Sequence, residues 1–498
     1  MRKFFGQMLV PLFVICMSVM PTTTGYAQPA DPVDTATKVY LPLITGAPLQ
    51  ADQFASTPID AQAPTTSEDM IDPENQVFAS AVTPIRIDVT QDAKALGYPD
   101  SRKVVRQRTT EQLFVAYRKK YNGIYRIFIT KSSDNGATWA VTNGGLPIDP
   151  ATNFTQRVPS IAIDYKDTLH VVWYGADTQS ATENDHQIRY MRSKDGGVTW
   201  EKSANPFPRI FGYTAGDWWQ EHPMIYALDG TILIIWEGRV PCSPLPCTPS
   251  SRVKFIKSTD GGDNWSAIQT LPELGGRNFS HPTLVVARDQ KTLYVFAYAA
   301  INSSSQIVWI KSGDLGNSWS TTGWQFIKSD TQDQRHVSVA IDSTDRLHVA
   351  WRQKPTGSAY SRILYAVYDT KNPTVAWSTQ WLSAAKPNNH QFFPTIAVDG
   401  SDRVWLAWSE ASSDPTGNAY GFPNENPLVG DIVAAMLNPS TGWQKSSYTA
   451  SGKALYPVLR YQRYGRRALV DLVWLAGDGT EDCSATGCSI QYARLAGQ

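Results

Sequence analysis

Two segments of the chain share one pattern, and that pattern decides the fold. The first reads Arg157-Val-Pro-Ser-Ile-Ala-Ile-Asp164, followed by a short polar turn and Leu169-His-Val-Val-Trp-Tyr174. The second reads Arg335-His-Val-Ser-Val-Ala-Ile-Asp342, followed by a turn and Leu347-His-Val-Ala-Trp351. Short runs of β-branched and aromatic residues that are separated by polar turns predict paired β-strands.

The same pattern recurs along most of the chain. Seven units align on one position, which is usually a proline, at intervals of 55 to 64 residues. These positions are Pro99, Pro159, Pro223, Pro282, Val337, Pro394 and Pro457. Four short strands per unit, repeated radially, are typical of a β-propeller, in which sheet edges stay short and protected. We therefore expect an all-β propeller of four-stranded blades, with seven blades favoured and six as the alternative.

The last unit ends with a third strand at residues 489–494 and lacks a fourth. Residues 83–90, which precede the first unit, have the alternation of a strand. We expect this N-terminal strand to complete the last blade and close the ring.

The composition excludes several classes of protein. The 498 residues carry 45 basic and 45 acidic side chains, so no net charge draws the chain to nucleic acid or to an anionic membrane. A hydrophobic content of 42% with 17 tryptophans is enough for a large core, which excludes a wholly disordered chain. We expect no nucleic-acid partner.

The N-terminal residues predict export. Arg2 and Lys3 precede an apolar stretch at residues 9–20, and Ala27 is a small residue that suits cleavage before Gln28. The apolar stretch is too short to span a bilayer comfortably, so residues 1–27 are interpreted as a secretory signal peptide. We expect a secreted or cell-surface protein without membrane insertion after the signal is removed.

Residues 28–82 have a different composition from the rest of the chain. They are rich in Pro, Ala and Thr and contain eight acidic residues against one lysine. Such a segment buries too little apolar surface to offset the entropy of ordering it. It is predicted to be a flexible acidic linker before the propeller at residues 83–498.

Four units carry one turn motif between strands three and four, with an Asp, a Gly two residues later and a Trp. The motif residues are Asp134 and Trp139, Asp195 and Trp200, Asp260 and Trp265, and Asp314 and Trp319. In such a turn the Asp accepts backbone N–H bonds, the Gly takes a positive φ and the Trp buries its ring. We interpret the motif as structural, because each copy supplies one or two carboxylates where calcium needs six to eight oxygens.

This motif resembles the Asp-box, or bacterial neuraminidase repeat, and residues 83–498 resemble sialidase-superfamily propellers. The resemblance implies a pocket in which three arginines bind a carboxylate, a Tyr paired with a Glu is the nucleophile and an Asp is the acid/base. Arg157-Val-Pro159 is close to the family's first arginine motif. The implied residues are the triad Arg157, Arg277 and Arg335, and Asp185 or Asp177 as the acid/base.

The sequence also departs from the family pattern. The family has six blades where the repeat gives seven, and its Glu-Gly-Arg hallmark appears in the third unit as Glu237-Gly-Arg239. No Tyr and Glu stand out as the nucleophile pair, although Tyr368 and Tyr456, with Glu221, are candidates. Two functions stay open: a glycan-binding or protein-binding propeller without catalysis, which is slightly favoured, and a glycoside hydrolase of the exo-α-sialidase type.

The start of strand one and the loop between strands two and three should lie on one face of the ring, here called the upper face. Further candidate binding residues there are Trp218, Trp219, His222 and Arg239. A carbohydrate or glycoconjugate is the expected partner, with a protein as the alternative. No cofactor and no metal are expected, since no two histidines stand at ligand spacing on one element.

Four cysteines occupy two of these loops. Cys242 and Cys247 lie in the third unit, and Cys483 and Cys488 lie in the seventh. The two loops should stand nearly opposite across the ring. In an exported protein this favours two local disulfides over a metal site shared by all four thiolates.

Overall fold

The seven repeat units form seven antiparallel sheets in the computed structural model, which confirms the seven-bladed propeller. The structure describes residues 83–99, 101–151, 154–176, 186–208, 220–240, 250–301, 304–382, 384–412, 430–438, 442–447, 453–460, 469–477, 483 and 487–496. Every described residue belongs to one compact unit, which lies within residues 62–498. Within the described ranges, no helix has the length and apolar character needed to cross a membrane.

The strands of the first four blades follow chain order. The first blade contains β2 (Val104–Arg106), β3 (Leu113–Tyr121), β4 (Ile124–Ser132) and β5 (Ala140–Val141), with a short 3₁₀ turn at Asn143–Gly145. The second contains β6 (Gln156–Ile163), β7 (Leu169–Gly175) and β8 (Gln187–Ser193), and a single bridge between Arg192 and Glu201 stands in the fourth position. The third contains β9 (Gln220–Ala227), β10 (Ile232–Val240), β11 (Ser250–Ser258) and β12 (Gln269–Thr270). The fourth contains β13 (Asn278–Val286), β14 (Leu293–Ile301), β15 (Ser304–Ser312) and β16 (Gln325–Phe326).

The last three blades complete the ring. The fifth contains β17 (Gln334–Ile341), β18 (Arg346–Gln353), β19 (Arg362–Asp369) and β20 (Ser378–Trp381). The sixth contains β21 (His390–Val398), β22 (Val404–Ala411), β23 (Asp431–Asn438) and β24 (Gly442–Ser447). The seventh contains β25 (Ala454–Leu459), β26 (Leu469–Ala476), β27 (Cys488–Ala496) and, as its fourth strand, β1 (Ile85–Thr90). First strands of successive blades contact one another, so strand one lines the axis.

The N-terminal strand closes the ring, as the sequence predicts. β1 pairs antiparallel with β27, from Ile85 opposite Tyr492 to Thr90 opposite Cys488. A buried ion pair joins this seventh blade to the first, because Arg106 Nη2 of the first blade lies 2.7 Å from Asp471 Oδ1 of the seventh. Burial opposes the charge of Asp471, but the guanidinium groups of Arg460 and Arg106 lower the pKa of its carboxyl.

The four turns with the Asp motif share one hydrogen-bond pattern. In each turn the Ser Oγ accepts the Gly N–H at 2.7 or 2.8 Å, and the Asp Oδ1 accepts the N–H four residues later at 2.8 or 2.9 Å. The glycines have φ between 78° and 92°. These local bonds explain why the turns form wherever the motif occurs.

The same turns also join neighbouring blades. Trp265 of the third blade packs edge-on against Tyr190 of the second, with ring centroids 4.9 Å apart. Trp319 of the fourth blade packs in the same way against Phe255 of the third, at 5.5 Å. The motif therefore seals the interface with the preceding blade on the face opposite the upper face.

Candidate functional site

Six blades carry a β-bulge at one place in strand one, where the ladder to strand two shifts register. The residue before the aligned proline position has a positive φ in each case. These residues are Val158 (38°), His222 (50°), His281 (50°), His336 (57°), Phe393 (53°) and Tyr456 (56°). Bulky side chains rarely adopt such φ values, and bulges commonly redirect side chains beside functional sites.

The bulges direct their side chains to the axis, where they surround Tyr98. The Tyr98 ring centroid lies 4.7 Å from that of His281, 5.6 Å from His222, and 6.0 Å from both Phe393 and Tyr456. Tyr98 is itself the residue before Pro99, so it holds the corresponding position of the first unit. We call Tyr98, Val158, His222, His281, His336, Phe393 and Tyr456 the axial cluster. Every member is at most 9% exposed, so packed rings fill the axis at this level.

A cavity of about 420 Å³ lies beside the axial cluster, within the range of small-molecule sites. One wall is the segment at residues 91–98 that links β1 to the first blade. The other lining residues are Arg118, Tyr125, Arg157, Val158, Tyr174, His222 and Tyr456. The cavity thus collects side chains from the first, second, third and seventh blades.

Two arginines line the cavity, together with Lys94 and the carboxylate of Asp92. Arg118 Nη2 donates to Asp92 Oδ1 at 2.8 Å, and its Nε donates to Asp92 Oδ2. Its guanidinium lies 4.8 Å from the centre of the Tyr125 ring. Burial opposes the charge, yet Asp92 raises the pKa of Arg118, so this arginine stays charged and bound to Asp92. Arg157 reaches the cavity from the start of β6, next to the bulge at Val158.

A carboxylate, an imidazole and a phenol stand together at the boundary between the second and third blades. His186 Nδ1 lies 2.7 Å from Glu221 Oε1, and the Tyr174 ring centroid lies 5.4 Å from that of His186 and 5.9 Å from that of His222. Burial opposes ionisation of Glu221, but the His186 bond and the charges of His222 and Arg157 lower its pKa. Glu221 is therefore a carboxylate at neutral pH.

The neighbouring phenol stays protonated. Burial and the charge of Glu221 raise the pKa of Tyr174, and the nearby guanidinium groups of Arg118 and Arg157 only partly oppose the rise. The arrangement offers a proton donor, a carboxylate acceptor and cationic groups around one space. Such a set binds an anion and holds or moves a proton.

Several predicted site residues meet at this cavity. Arg157, His222 and Tyr456 line it, and Glu221 interacts with Tyr174 in its wall. Asp177, Asp185, Trp218, Trp219, Cys242 and Cys247 lie outside the described residues. Arg239 lies near the end of β10, opposite Ser251.

The other two arginines of the expected triad, Arg277 and Arg335, do not line this cavity. Arg277 Nη1 donates to the Ala299 carbonyl at 3.3 Å, and its guanidinium lies 5.3 Å from the Phe326 ring within the fourth blade. Arg335 Nε lies 2.6 Å from Asp333 in the fifth blade. Arg335 holds the repeat position of Arg157, but two blades, the third and the fourth, lie between them in the ring. Equivalent positions in distant blades surround the axis and do not share an off-axis pocket.

Tyr368 is also displaced from the predicted site. It pairs with Leu347 at the start of β18, the end of the blade where the Asp-motif turns lie. Its ring packs against Trp377 at 4.9 Å and Trp309 at 5.6 Å. Tyr368 is near the end of the third strand of its blade, and this end points away from the upper face, so the side chain cannot reach the predicted site.

Several cavity residues are not among the predicted candidates, including Tyr98, Arg118, Tyr125 and Tyr174. The repeat alignment held a signal for Tyr98, because it occupies the position before the proline that His222 and Tyr456 share. Arg118 and Tyr125 lie on the two long central strands of the first blade, and no motif marks them.

One of the two predicted disulfides lies within the described residues. Cys483 and Cys488 are bonded, with Cα atoms 4.9 Å apart, which confirms a local bridge in the seventh unit. This bridge anchors the start of β27, the strand that receives β1.

No family model and no curated protein matches the chain. Solved structures do match. An ulvan lyase of polysaccharide lyase family PL25 is 9% identical, with 83% of this chain and 96% of that one covered and a TM-score of 0.52. The α-L-arabinanase of Penicillium chrysogenum is 15% identical, with 68% and 93% covered and a TM-score of 0.43. The NanB sialidase of Streptococcus pneumoniae is 12% identical, with 84% and 71% covered and a TM-score of 0.39. The match to the lyase shows a shared fold.

Proposed function

We propose that the cavity binds an anionic sugar residue of a glycan. The observation that carries this proposal is the convergence of Arg157, Arg118 and the tyrosines 98, 125, 174 and 456 on one volume of about 420 Å³. Guanidinium groups recognise carboxylates through paired, charge-assisted hydrogen bonds. Aromatic rings with polar tips provide both an apolar surface and hydrogen bonds for a sugar ring.

The two arginines have different roles in this proposal. Asp92 engages both Nε and Nη2 of Arg118, so this arginine chiefly holds the segment at residues 91–98 against the first blade. Asp92 also accepts the Lys94 N–H at 3.0 Å, which fixes the turn of that segment. Arg157, which lines the cavity beside the bulge at Val158, is the proposed contact for the sugar carboxylate.

The protein's environment is part of the proposal. The predicted signal peptide and the bonded Cys483 and Cys488 fit a secreted or cell-surface protein, since disulfides persist in oxidising compartments. The lyase that shares the fold is described as acting on a polysaccharide, and the proposed ligand belongs to the same broad class.

A second candidate function, glycoside hydrolysis, is favoured by the position of Tyr174 near the Glu221 carboxylate, whose charge acts on the phenol. In the resemblance to sialidases the nucleophile is a Tyr paired with a Glu. Here Glu221 would take the phenol proton as Tyr174 Oη bonds to the anomeric carbon and the glycosidic C–O bond breaks, and Asp177 or Asp185 would protonate the leaving oxygen. Water would then release the sugar from the tyrosine and regenerate the phenol.

Binding is tested with an array of carboxylated and neutral glycans, followed by titration calorimetry. Arg157→Ala should weaken binding of a carboxylated glycan at least tenfold, because a hydrogen bond to a charged group contributes about 1.5–3 kcal/mol. Arg277→Ala, in a blade that does not line the cavity, is the matched control and should leave affinity within about twofold. Equal losses in both variants, or equal binding of neutral glycans, would contradict the proposal.

Hydrolysis is tested separately with fluorogenic α-sialosides. Tyr174→Phe should abolish release of the fluorophore while glycan binding persists, since the ring remains and only the nucleophilic oxygen is lost. Absence of release by the unmodified protein at mildly acidic and neutral pH would leave binding as the function.

A further inference from the structure

Three potential metal ligands meet at the axis from two neighbouring blades. His222 and Glu237 belong to the third blade and His281 to the fourth, and one ligand atom from each lies within 4.8 Å of the others. His222 Nδ1 lies 3.2 Å from Glu237 Oε2. The His222 and His281 rings lie nearly parallel, with centroids 4.0 Å apart.

The surroundings hold these groups in place. Both imidazoles are almost fully buried, at 3% and 1% exposed, and both belong to residues with a positive φ at a bulge. The Tyr98 ring lies edge-on to His281 at 4.7 Å, and the Tyr298 ring stacks on it at 5.3 Å. Ser251 Oγ lies 3.3 Å from the second carboxylate oxygen, Glu237 Oε1.

The bulge at His281 places its imidazole beside that of His222, from the neighbouring blade. Two imidazoles and one carboxylate thus come together in a largely buried space. Their nitrogen and oxygen atoms are close enough together to approach one common ion.

We propose that His222, Glu237 and His281 bind a divalent transition-metal ion of the zinc type. Two imidazole nitrogens and one carboxylate form a ligand set of catalytic zinc sites, in which the fourth position stays open. Calcium and magnesium prefer all-oxygen sites, so the two nitrogens select against them.

The spacing of the groups is close to what such an ion needs. Ligands bonded at about 2.0–2.1 Å to a tetrahedral zinc lie about 3.4 Å apart, and the His222–Glu237 separation of 3.2 Å already fits. The His281 ligand atom lies within 4.8 Å of the other two, so it has to move closer by up to about 1.4 Å, and its ring has to turn out of the stack with His222. His222 belongs to β9 and His281 to β13, so the two ligands do not share one strand. The spacing of histidines along a single element therefore does not predict this site.

The ion would also be close to the cavity, since His222 belongs both to this cluster and to the cavity wall. An oxygen of a sugar in the cavity could then occupy the open position. This last step rests on the proposed function, whereas binding of the ion itself does not.

The test uses the secreted full-length chain, freed of metal with a chelator and titrated with Zn²⁺ by calorimetry. The expected result is one Zn²⁺ per chain, with a rise in Tm on binding. Glu237→Gln and His281→Gln should each weaken Zn²⁺ binding at least a hundredfold and remove the rise in Tm. His390→Gln, a half-buried histidine outside the cluster, is the control and should bind as the unmodified chain does.

Three results would overturn the proposal. In the first, the folded, metal-free chain takes up no Zn²⁺ at 100-fold molar excess. In the second, the Glu237→Gln and His281→Gln variants bind Zn²⁺ as tightly as the control, and in the third the chain binds Ca²⁺ or Mg²⁺ with the same affinity as Zn²⁺. Glu237 is only partly buried, so Glu237→Gln keeps the test valid if His281→Gln fails to fold. Calorimetry without any glycan separates this test from that of the proposed function.

Discussion

His186 Nδ1 lies 2.7 Å from Glu221 Oε1 across the boundary between the second and third blades. This contact joins the start of β8 to β9, the first strand of the third blade. The cavity wall passes from the second blade to the third at the same point. It lowers the pKa of Glu221 and orients the imidazole toward Tyr174. The boundary is thus both a structural joint and the proposed reactive part of the site.

Glu221→Gln should destabilise the protein in a pH-dependent manner. The pKa of Glu221 is lower in the folded state than its ordinary value of 4.5, so its carboxylate stabilises the fold above that value. This stabilisation is lost as the pH falls through the folded-state pKa. We expect a loss of about 1–3 kcal/mol in the free energy of unfolding at pH 7, which shrinks below pH 4.5.

Urea unfolding of Glu221→Gln at several pH values measures this effect. Glu273→Gln serves as the control, because that carboxylate pairs with Arg252 but is 70% exposed. A loss of stability that does not change with pH would show that the Glu221 charge is not its origin.

Asp471→Asn should destabilise the closure of the ring. Asp471 is fully buried and contacts Arg106 and Arg460, and Tyr492 Oη donates to it at 2.8 Å. Removing its charge leaves two buried guanidinium groups without their common partner, which typically costs about 3–5 kcal/mol. Equilibrium unfolding measures the loss, and Lys194→Gln, which removes only an exposed partner of Glu201, should change stability by less than about 1 kcal/mol.

Gly262→Ala should be more harmful than Gly261→Ala in the same turn. Both glycines have a positive φ, of 92° and 71°, so each substitution carries a backbone cost of about 1–2 kcal/mol. A Cβ at Gly261 meets nothing within 4 Å, whereas a Cβ at Gly262 would lie 2.1 Å from Tyr190 Oη. His170 holds that hydroxyl at 2.7 Å, so the ring cannot swing away freely.

The steric clash should add about 1–3 kcal/mol to the cost of Gly262→Ala. Thermal unfolding of the two variants side by side gives the difference directly. Equal Tm values would mean that the turn does not seal the interface between the second and third blades.

The carboxyl groups of the Asp-motif turns should titrate at unusually low pH. For Asp260 burial opposes ionisation, but the N–H of Asn264, its side-chain amide and the Ser258 hydroxyl lower the pKa to about 2, and similar bonds lower that of Asp314 to about 2. Because the pKa values are lower in the folded state than the ordinary value of 3.8, these bonds stabilise the fold above pH 3.8. This stabilisation is lost as the pH falls through about 2. Carbon-detected NMR titration of the two carboxyl groups checks the values, and midpoints near 3.8 would contradict them.

Much of the fold follows from local patterns. The turn residues satisfy their own hydrogen bonds, so the sequence near Asp134, Asp195, Asp260 and Asp314 predicts strand ends whatever lies around them. The alternation at residues 83–90 likewise predicts a strand, and the seventh unit lacks a fourth strand of its own. β1 takes that place by pairing with β27.

The candidate site could be predicted only in part. Arg157 and His222 stand at recognisable repeat positions, and both reach the cavity. The expected partners Arg277 and Arg335 do not line the cavity. Similarity between repeat units does not show which blades surround a pocket that lies off the axis. Arg118 and Tyr174 belong to the site through packing between blades, which no single unit encodes.

The antiparallel pairing of β1 with β27 also has a consequence for biosynthesis. Ile85 and Tyr492 are opposite each other in the ladder although 407 residues separate them in the chain. A ribosome has to finish nearly the whole propeller before these partners coexist, and contacts so distant in sequence form slowly. Until then the nascent polypeptide carries an unsatisfied sheet edge, and we expect the chain to depend on a holding chaperone during that interval.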